Sequence, residues 1–278
     1  MASRTWLITG SSSGFGRELA EAALNAGDSV VATARRPETL DELVASAPDR
    51  VLAVALDVTR PEQIEAAVGA ALERFGHIDV LVNNAGHGSV GAIEEIDMAD
   101  LRALMDTMYF GAMALTQAVL PHMREQGSGA IVQLSSMGGQ LSTAGFGAYC
   151  SAKWALEAMS SALSEEVGPL GIRVLIVEPG QFRTEFGGAR MHRSREIDAY
   201  AETVGPTREF VDNMDGTQAG DPHKAAAAIL SVLDAPEPPL RLALGDDAVD
   251  AIRGEHERRG ADLEAWENVS RATTFDDA

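Results

Sequence analysis

Three side chains near the middle of the chain have the types and spacing needed for proton transfer to a carbonyl oxygen. Tyr149 and Lys153 are four residues apart, so on a helix they lie on the same face. A free tyrosine has a pKa of about 10, and because a nearby ammonium group stabilises the phenolate, we expect the pKa of Tyr149 to be lowered. Tyr149 can then act as a general acid in carbonyl reduction or as a general base in alcohol oxidation. Ser136 offers a hydroxyl that can hydrogen-bond the substrate oxygen.

A glycine-rich turn near the amino terminus offers a binding site for the phosphates of a dinucleotide. The apolar run Thr5–Thr9 leads into this turn, and a helical segment follows it. Glycines permit a tight turn and a close approach of the backbone to pyrophosphate, while the helix amino terminus presents unpaired N–H groups. Glycine-rich turns are common, but a position between a strand and a helix favours dinucleotide binding. The predicted cofactor-binding residues of the turn are Gly10, Ser12, Gly14, Phe15 and Gly16.

The residues after the second apolar run favour NADP over NAD. An acidic side chain at this point would bind the ribose hydroxyls of NAD, whereas an arginine accommodates the 2′-phosphate of NADP. The run ends in Ala34-Arg35-Arg36 without an acid, and the planar guanidinium of Arg35 suits a phosphate. Two solvated surface arginines are the alternative interpretation, so NAD remains possible.

Apolar runs and amphipathic segments alternate along the chain. The apolar runs are rich in Val, Ile, Leu and Ala, which is typical of parallel strands covered on both faces. The predicted strands are Thr5–Thr9, Ser29–Ala34, Val51–Asp57, Asp79–Asn83, Ala130–Ser135, Arg173–Glu178 and Arg241–Leu244. The predicted helices are Gly16–Asn25, Thr39–Ala47, Pro61–Phe75, Met98–Arg124, Tyr149–Val167 and Pro222–Leu233, with Thr59 and Asp221 fitting two helix starts.

This alternation predicts one α/β domain over residues 1–278, with a Rossmann-like, doubly wound, mainly parallel seven-stranded sheet and helices on both faces. Two segments fall outside the pattern. Residues 185–220 are long and polar, so we expect a lid over the substrate, and its apolar residues Phe186, Met191, Tyr200 and Phe210 favour a hydrophobic ketone or secondary alcohol. Residues 255–278 are expected to form a charged carboxyl-terminal tail.

The motifs from about Thr5 to Thr184 together resemble the short-chain dehydrogenase/reductase family. The resemblance rests on the glycine spacing, on Asn83-Asn84-Ala85-Gly86 after the fourth strand, and on Tyr149 and Lys153 with Ser136 13 residues before Tyr149, a spacing that favours Ser136 over its neighbour Ser135. It implies hydride transfer between NADP(H) or NAD(H) and an alcohol or carbonyl group. It also implies a homodimer or homotetramer that pairs two long helices.

The resemblance extends the set of cofactor-binding residues. Asp57 would face the adenine, although an aspartate that caps a turn is an equally acceptable interpretation of this residue. Tyr149 and Lys153 would contact the cofactor as well as the substrate, and Thr184 would contact the carboxamide of the nicotinamide. The remaining residues implied to lie beside the cofactor are Val58, Asn84, Ala85, Gly86, Pro179 and Gly180.

Two positions depart from the family pattern. Ser13 stands where many NADP-preferring relatives have a basic residue, which weakens the preference for NADP. Met108, in Met108-Tyr109-Phe110-Gly111, stands where relatives usually have an asparagine that belongs to a water-mediated proton path to the lysine. A thioether is only a weak acceptor, so either neighbouring groups and water compensate or turnover is slow.

Composition narrows the classes of partner. A formal net charge of −20 disfavours binding to nucleic acid and to an anionic membrane surface. The single cysteine, Cys150, excludes an intrachain disulfide and is typical of a cytoplasmic protein, and we interpret it as a small buried helix residue instead of a nucleophile. The six histidines show no metal-binding spacing, so no metal is expected.

Two other functions compete with a simple reductase. A non-catalytic regulator that binds a nicotinamide cofactor would account for Met108, but the presence of Ser136, Tyr149 and Lys153 argues against it. An enzyme that uses the same fold for epimerisation or dehydration is the second alternative, and the short chain together with the glycine spacing favours the reductase.

Overall fold

The computed structural model describes residues 3–188 and 191–275, and its centre is a parallel sheet of seven strands. The order across the sheet is β3-β2-β1-β4-β6-β7-β9. A separate two-stranded parallel sheet pairs β5 with β8. The strands are β1 (Thr5–Ile8), β2 (Ser29–Ala34), β3 (Val51–Ala55), β4 (Val80–Asn83), β5 (Gly88–Val90), β6 (Gly129–Leu134), β7 (Ile172–Pro179), β8 (Met191–Arg193) and β9 (Arg241–Leu244).

Helices cover both faces of the seven-stranded sheet. They are α1 (Gly14–Asn25), α2 (Asp41–Ser46), α3 (Pro61–Phe75), α4 (Met98–Met105), α5 (Gly111–Gln126), α6 (Gly147–Val167), α7 (Ala201–Met214), α8 (Pro222–Leu233) and α9 (Asp246–Arg271). On one face, Leu19 of α1 and Ile229 of α8 pack into a buried core with the sheet. On the other face, the core is completed by Val68, Leu115 and Leu163 from α3, α5 and α6. This three-layer, doubly wound arrangement confirms the predicted fold class.

The strand order reverses between β1 and β4, and this position determines where a ligand can bind. From β1 the chain winds outward to β2 and β3, and it then returns to place β4 on the other side of β1. The loops after β1 and β4 therefore separate and leave a crevice at the carboxyl ends of the strands, where open α/β sheets bind ligands. Gly10 and Asn84, both predicted to bind the cofactor, lie in these two loops.

Several elements differ from the sequence-based predictions. The segment predicted to be a lid, residues 185–220, is called the lid segment or lid below for its position only. In its described part it is not an open loop, because it contains β8 and α7, and Val211 of α7 is fully buried against Val90 and Met191. The charged tail is largely helical, since α9 runs to Arg271, and residues 276–278 lie outside the described part of the chain. Helix α3 begins at Pro61 as predicted, although the residue before it is Arg60, which provides no side-chain cap, while Asp221 does cap α8.

No helix in the described ranges is long and apolar enough to span a bilayer. Within the same ranges, no three His, Cys, Asp or Glu side chains group closely enough to hold a metal ion.

A buried carboxylate fastens the lid to the rest of the protein. Glu95 accepts hydrogen bonds from the backbone N–H of Ala92 (2.7 Å) and of Ile197 (2.8 Å), and from the guanidinium of Arg208 (2.6 Å). The last two donors belong to the lid, and the Glu95 side chain is only 2% exposed. Burial by itself would raise the pKa of Glu95, but these hydrogen bonds and the charge of Arg208 outweigh it, so the pKa is lowered.

Replacing this carboxylate should loosen the lid in a pH-dependent way. We expect Glu95→Gln to lower the free energy of unfolding by about 2 kcal/mol at pH 7, because hydrogen bonds to a charged group contribute about this much. Since the folded pKa is lowered, the contribution is present above the unfolded pKa of about 4.3 and is lost as pH falls through the folded value. Urea unfolding from pH 7 to pH 3 measures it, with Glu202→Gln on the exposed surface of α7 as the control. An equal difference at every pH would contradict the assignment.

Candidate active site

The glycine turn forms a cradle with no room for side chains. Gly10 and Gly14 adopt the left-handed backbone region, with φ of 69° and 56°. A Cβ on Gly16 would lie 2.4 Å from the carbonyl oxygen of Gly10 and 2.5 Å from Nδ2 of Asn84, so only glycine fits. The hydroxyl of Ser13, at the amino terminus of α1, is buried without a hydrogen-bond partner among the described residues. An open helix terminus, close backbone and an unpaired donor are the features that an anionic pyrophosphate requires.

Asn84 joins the two loops that border the crevice. Its side-chain amide donates to the carbonyl oxygens of Thr9 (2.8 Å) and Gly10 (3.2 Å). In return, the hydroxyl of Thr9 accepts the backbone N–H groups of Asn84 (2.8 Å) and Ala85 (2.9 Å). Asn84 and Ala85 therefore hold the glycine turn in place, and Gly86 follows them into the pocket.

The predicted adenosine end lies along β2 and β3. Arg35 is exposed directly after β2 and forms no ion pair within the described ranges. Asp57 accepts hydrogen bonds from the backbone N–H (3.0 Å) and the hydroxyl (2.7 Å) of Thr59, which is the turn geometry that the sequence left open. Burial would raise the pKa of Asp57, but Thr59 and the nearby positive charge of Arg35 lower it. Val58 is buried and packs against Gly111, so its side chain serves the core.

A pocket of about 210 Å³ opens from this crevice. Ser136, Tyr149 and Lys153 all line it, so the structure brings the three predicted catalytic residues together. The other predicted site residues that line the pocket are Gly14, Phe15, Asn84, Gly86, Pro179, Gly180 and Thr184. Gly10, Ser12, Gly16, Arg35, Asp57, Val58 and Ala85 lie outside its walls, along the crevice and behind it.

Ser136 and Tyr149 face each other across Gly138. The hydroxyl of Ser136 accepts the backbone N–H of Gly138 at 3.0 Å. A Cβ on Gly138 would lie 3.3 Å from the Tyr149 ring and 3.4 Å from the Ser136 hydroxyl oxygen, so both groups border the same small space. Phe146 and Phe186 contact the Tyr149 ring at centroid distances of 6.3 and 5.4 Å.

The prediction that the pKa of Tyr149 is lowered was wrong. Burial raises the pKa of Tyr149, and a hydrogen bond from Ser136 only partly opposes the effect. The reason is that the ammonium of Lys153 lies 5.9 Å from the centre of the tyrosine ring and donates elsewhere, to the carbonyl oxygen of Leu134 at 2.6 Å. Tyr149 is thus held as a neutral phenol, which is the protonation state of an acid that reduces carbonyl groups.

Lys153 is a buried cation with few compensating groups. Burial lowers its pKa to about 8, and the charge of Glu157, one turn further along α6, opposes the shift. A lysine with a pKa this close to neutrality can both release and recover a proton at physiological pH.

Met108 occupies a π turn, Asp106–Phe110, that separates α4 from α5. In this turn the N–H of Gly111 donates to the carbonyl oxygen of Asp106, five residues earlier. The Met108 side chain is 2% exposed and packs with Leu104, Ala148 and Ala152 beside the pocket. Met108 therefore contributes an apolar side chain where an asparagine would place an amide.

The rest of the lining includes residues that the sequence-based argument did not select. His87 follows Gly86 in the pocket, and burial lowers its pKa, so it is neutral at pH 7. Its position after the Asn-Asn-Ala-Gly motif could have indicated it. Gln218 is 2% exposed, and neither atom of its amide has a partner within the described ranges. Nothing in the local sequence distinguishes Gln218, because its place in the wall depends on how the lid folds.

The lid segment contributes part of the apolar wall. Phe186, Met191 and Phe210 line the pocket as expected. Tyr200 does not, because its hydroxyl donates to Glu94 outside the pocket. Thr184 caps the turn that carries Phe186, with its hydroxyl accepting the Phe186 N–H at 3.4 Å. Cys150 is buried, and burial raises the pKa of its thiol, in agreement with a packing residue.

The architecture and this crevice define a Rossmann-like α/β protein, and comparison with known proteins identifies the family. The family model for short chain dehydrogenases matches residues 4–194. Oxidoreductase BOA17 from Botryotinia fuckeliana is 44% identical over 271 residues, which cover 97% of this chain and 99% of that protein. The protein belongs to the short-chain dehydrogenase/reductase family and is an oxidoreductase of that family.

Two solved structures are similar to most of this chain. A short-chain dehydrogenase from Streptomyces avermitilis is 55% identical, with a TM-score of 0.94 and coverage of 99% of this chain and 100% of that one. An alcohol dehydrogenase from the archaeon Thermococcus sibiricus, solved with 5-hydroxy-NADP, is 25% identical with a TM-score of 0.72, covering 87% of this chain and 96% of that one.

We expect apolar packing to favour methionine over asparagine at position 108, and substitutions can test this. We expect Met108→Asn to lower the free energy of unfolding by about 1–3 kcal/mol, because it buries an amide in an apolar wall. Met108→Leu, which preserves volume and polarity, should cost less than about 1.5 kcal/mol. Chemical unfolding of the three proteins measures both values. An asparagine variant as stable as the wild type would show that the wall already contains partners for an amide.

Proposed function

We propose that the protein catalyses reversible hydride transfer between NADP(H) and the carbonyl or alcohol group of a hydrophobic substrate. The observation that carries the proposal is the convergence of Ser136, Tyr149 and Lys153 on one pocket that opens beside the glycine cradle. The Thermococcus sibiricus alcohol dehydrogenase, which was solved with an NADP derivative, supports both the reaction and the cofactor class. When bound, the nicotinamide would supply or accept the hydride.

Residues of the chain would bind the cofactor, polarise the substrate and transfer the proton. The glycine cradle and the amino terminus of α1 would hold the pyrophosphate, and the exposed Arg35 would bind the 2′-phosphate. Ser136 would hydrogen-bond the substrate oxygen and stabilise its developing negative charge. Tyr149 would donate its proton to that oxygen in reduction, and Lys153 would restore the proton to Tyr149.

The pocket supports a substrate that is mostly apolar. Phe146, Phe186, Met191 and Phe210 form much of its wall, and they favour a hydrocarbon or aromatic body next to the reacting carbonyl. Gln218 is the polar exception. Because an unpaired buried amide costs about 1–3 kcal/mol, we expect the substrate to carry a second polar group that bonds to it.

We further propose one domain over residues 1–278, a cytoplasmic location and a homodimer or homotetramer. The single cysteine is buried, which suits a reducing compartment. Phe110 and Met98 belong to the long helical segment from α4 to α5, and their side chains are 53% and 54% exposed. Exposed apolar side chains on a long helix support its use as an interface between copies.

A substrate screen tests the reaction itself. The purified protein is titrated with NADPH and NADH and then mixed with a panel of hydrophobic ketones, with and without a distal hydroxyl or carboxamide. We expect NADPH oxidation with several ketones and a preference for those that carry the second polar group. Cofactor binding without oxidation of any substrate would favour the non-catalytic regulator instead.

Removal of the proposed acid should separate chemistry from binding. We expect Tyr149→Phe to reduce turnover by about 10²-fold or more, because a positioned general acid contributes at least this much. The affinity for NADPH should stay within about twofold, since the ring that remains keeps its contacts with Phe146 and Phe186. Tyr200→Phe, outside the pocket, is the matched control. Unchanged turnover in the Tyr149 variant would refute its role.

Removal of Arg35 should discriminate between the two cofactors. We expect Arg35→Ala to weaken NADPH binding by about tenfold or more, in line with about 1.5–3 kcal/mol for hydrogen bonds to a charged group, and to leave NADH binding nearly unchanged. Fluorescence titration of both cofactors measures the effect, with Arg253→Ala on α9 as the control. An equal loss of affinity for NADPH and NADH would refute the proposed contact with the 2′-phosphate.

A further inference from the structure

Two buried carboxyl groups near Lys153 lie outside the lining of the substrate pocket. We call Glu157 and Glu178 the acidic pair. Glu157 lies one turn beyond Lys153 on α6, Glu178 lies near the end of β7, and their side chains are 5% and 3% exposed. The amide of Gln140 donates to both, at 3.3 Å to Glu157 and 2.9 Å to Glu178. A single shared donor shows that the two carboxyl groups are close neighbours.

The acidic pair has less positive charge around it than two carboxylates need. Arg241 of β9 contacts Glu157 at 3.0 Å and Glu178 at 3.5 Å, and its side chain is 38% exposed. Of the other titratable groups nearby, Lys153 on α6 is influenced by the charge of Glu157, and His256 on α9 contacts Gln140 at 3.4 Å. Two adjacent buried carboxylates with one close guanidinium favour retention of one proton. Burial and the neighbouring Glu157 accordingly raise the pKa of Glu178.

Two buried polar atoms at and beside the acidic pair have no hydrogen-bond partner in the described part of the chain. Lys153 donates to the carbonyl oxygen of Leu134, and the next residue, Ser135, has a buried hydroxyl without a hydrogen-bond partner in the described part of the chain. Oε1 of Glu157 is also buried and unpaired. A Cβ on Gly139 would lie 2.5 Å from the Ser135 hydroxyl and 3.0 Å from Oε1 of Glu157, so both atoms face the backbone of Gly139. The two unpaired atoms therefore lie close together and fill the space that a side chain at residue 139 would take.

We propose that the acidic pair is the proton reservoir that recharges Lys153, with Glu157 and Glu178 as positioning residues for the reaction. The proposal rests on the proposed reductase function. It also provides a proton supply that does not depend on Met108, because Glu157 lies one turn from Lys153 on the same helix and faces Gly139 together with Ser135.

The proton transfers balance through one cycle of reduction. Tyr149 gives its hydroxyl proton to the substrate oxygen and becomes a phenolate. The ammonium of Lys153 restores that proton, across a bridging hydroxyl or water, and becomes a neutral amine. The protonated carboxyl of the acidic pair then gives its proton to the amine, through the Ser135 hydroxyl, and becomes a carboxylate. Solvent returns a proton to the pair at its edge, where Arg241 is partly exposed and His256 is exposed. Alcohol oxidation runs the same transfers in reverse.

Pre-steady-state kinetics of Glu178→Gln and Glu157→Gln tests the proposal. Glutamine keeps the shape of each side chain and removes its proton exchange. The first turnover uses the proton already on Tyr149, so we expect each variant to oxidise one equivalent of NADPH per site at the wild-type rate. Later turnovers should be slower by about tenfold or more, the scale of lost general acid–base catalysis. The KM for the ketone should change by less than about twofold, and Glu166→Gln on the exposed side of α6 is the matched control.

The alternatives give different results. A variant whose steady-state rate and pH profile equal those of the wild type would overturn the proposal. Loss of the first turnover together with the later ones would also overturn it, because that pattern indicates a structural role. Partial recovery of later turnovers by added imidazole, a diffusible proton donor, would support the reservoir.

Infrared spectroscopy provides a readout that does not require a substrate. The wild type at pH 7 should show a protonated carboxyl band that is absent from Glu178→Gln, and absence of this band from the wild type would overturn the proposal. Failure of the proposed function gives a different pattern, namely no turnover by the wild type with any ketone and an intact carboxyl band. Glu157→Asp, with its carboxyl retained, is the second variant if either glutamine substitution prevents folding.

Discussion

The junction between β1 and β4 is the constraint on which the rest of the site depends. At this junction the chain changes its winding direction, and the two loops that leave it would separate without a cross-connection. Asn84 supplies that connection through its hydrogen bonds to Thr9 and Gly10, and the hydroxyl of Thr9 returns two more bonds to the Asn84–Ala85 backbone. These four bonds set the floor of the crevice, and the glycine cradle keeps its shape because Gly16 lies directly against the same groups. A substitution that disturbs the junction should therefore affect the proposed cofactor site before it affects the proton-transfer residues.

The proton-transfer residues come from different elements that meet at the same edge of the sheet. Ser136 follows β6, while Tyr149 and Lys153 lie on α6, which packs beside β6 and β7. The backbone carbonyl of Leu134 holds the Lys153 ammonium, so the position of this charge depends on the sheet and on α6 together. The buried surroundings keep Tyr149 a phenol and bring the pKa of Lys153 near to neutrality. The same buried surroundings thus raise the pKa of the proposed acid, Tyr149, and lower the pKa of its proposed proton source, Lys153.

The sequence predicted the repeating parts of this structure better than the irregular ones. All seven strands of the main sheet were predicted because each is a short, mostly apolar run, and Asp221 was recognised as a cap because it directly precedes Pro222. The fold of the lid was not predicted, since β8 pairs with β5 over only three residues and α7 depends on contacts made by Val211. The pKa of Tyr149 was predicted in the wrong direction because spacing along a helix does not show where the Lys153 ammonium points. Gln218 and the acidic pair could not be selected from the sequence either. Their significance comes from burial and from polar atoms without hydrogen-bond partners, and a sequence shows neither.

The anchoring of the lid has a consequence for how the protein can diversify. The attachments of the lid to the rest of the protein include the short β5–β8 pairing, the bonds to Glu95 and the bond from Thr207 to Ala144, whereas the glycine cradle is built from other loops. Mutations in α7 can therefore reshape the apolar wall without altering the cradle, and selection on substrate range is partly uncoupled from selection on cofactor binding. Because the lid and the cradle are separate, substitutions can accumulate in the lid, so that descendants of one ancestral enzyme can acquire new substrates while they retain the same redox chemistry.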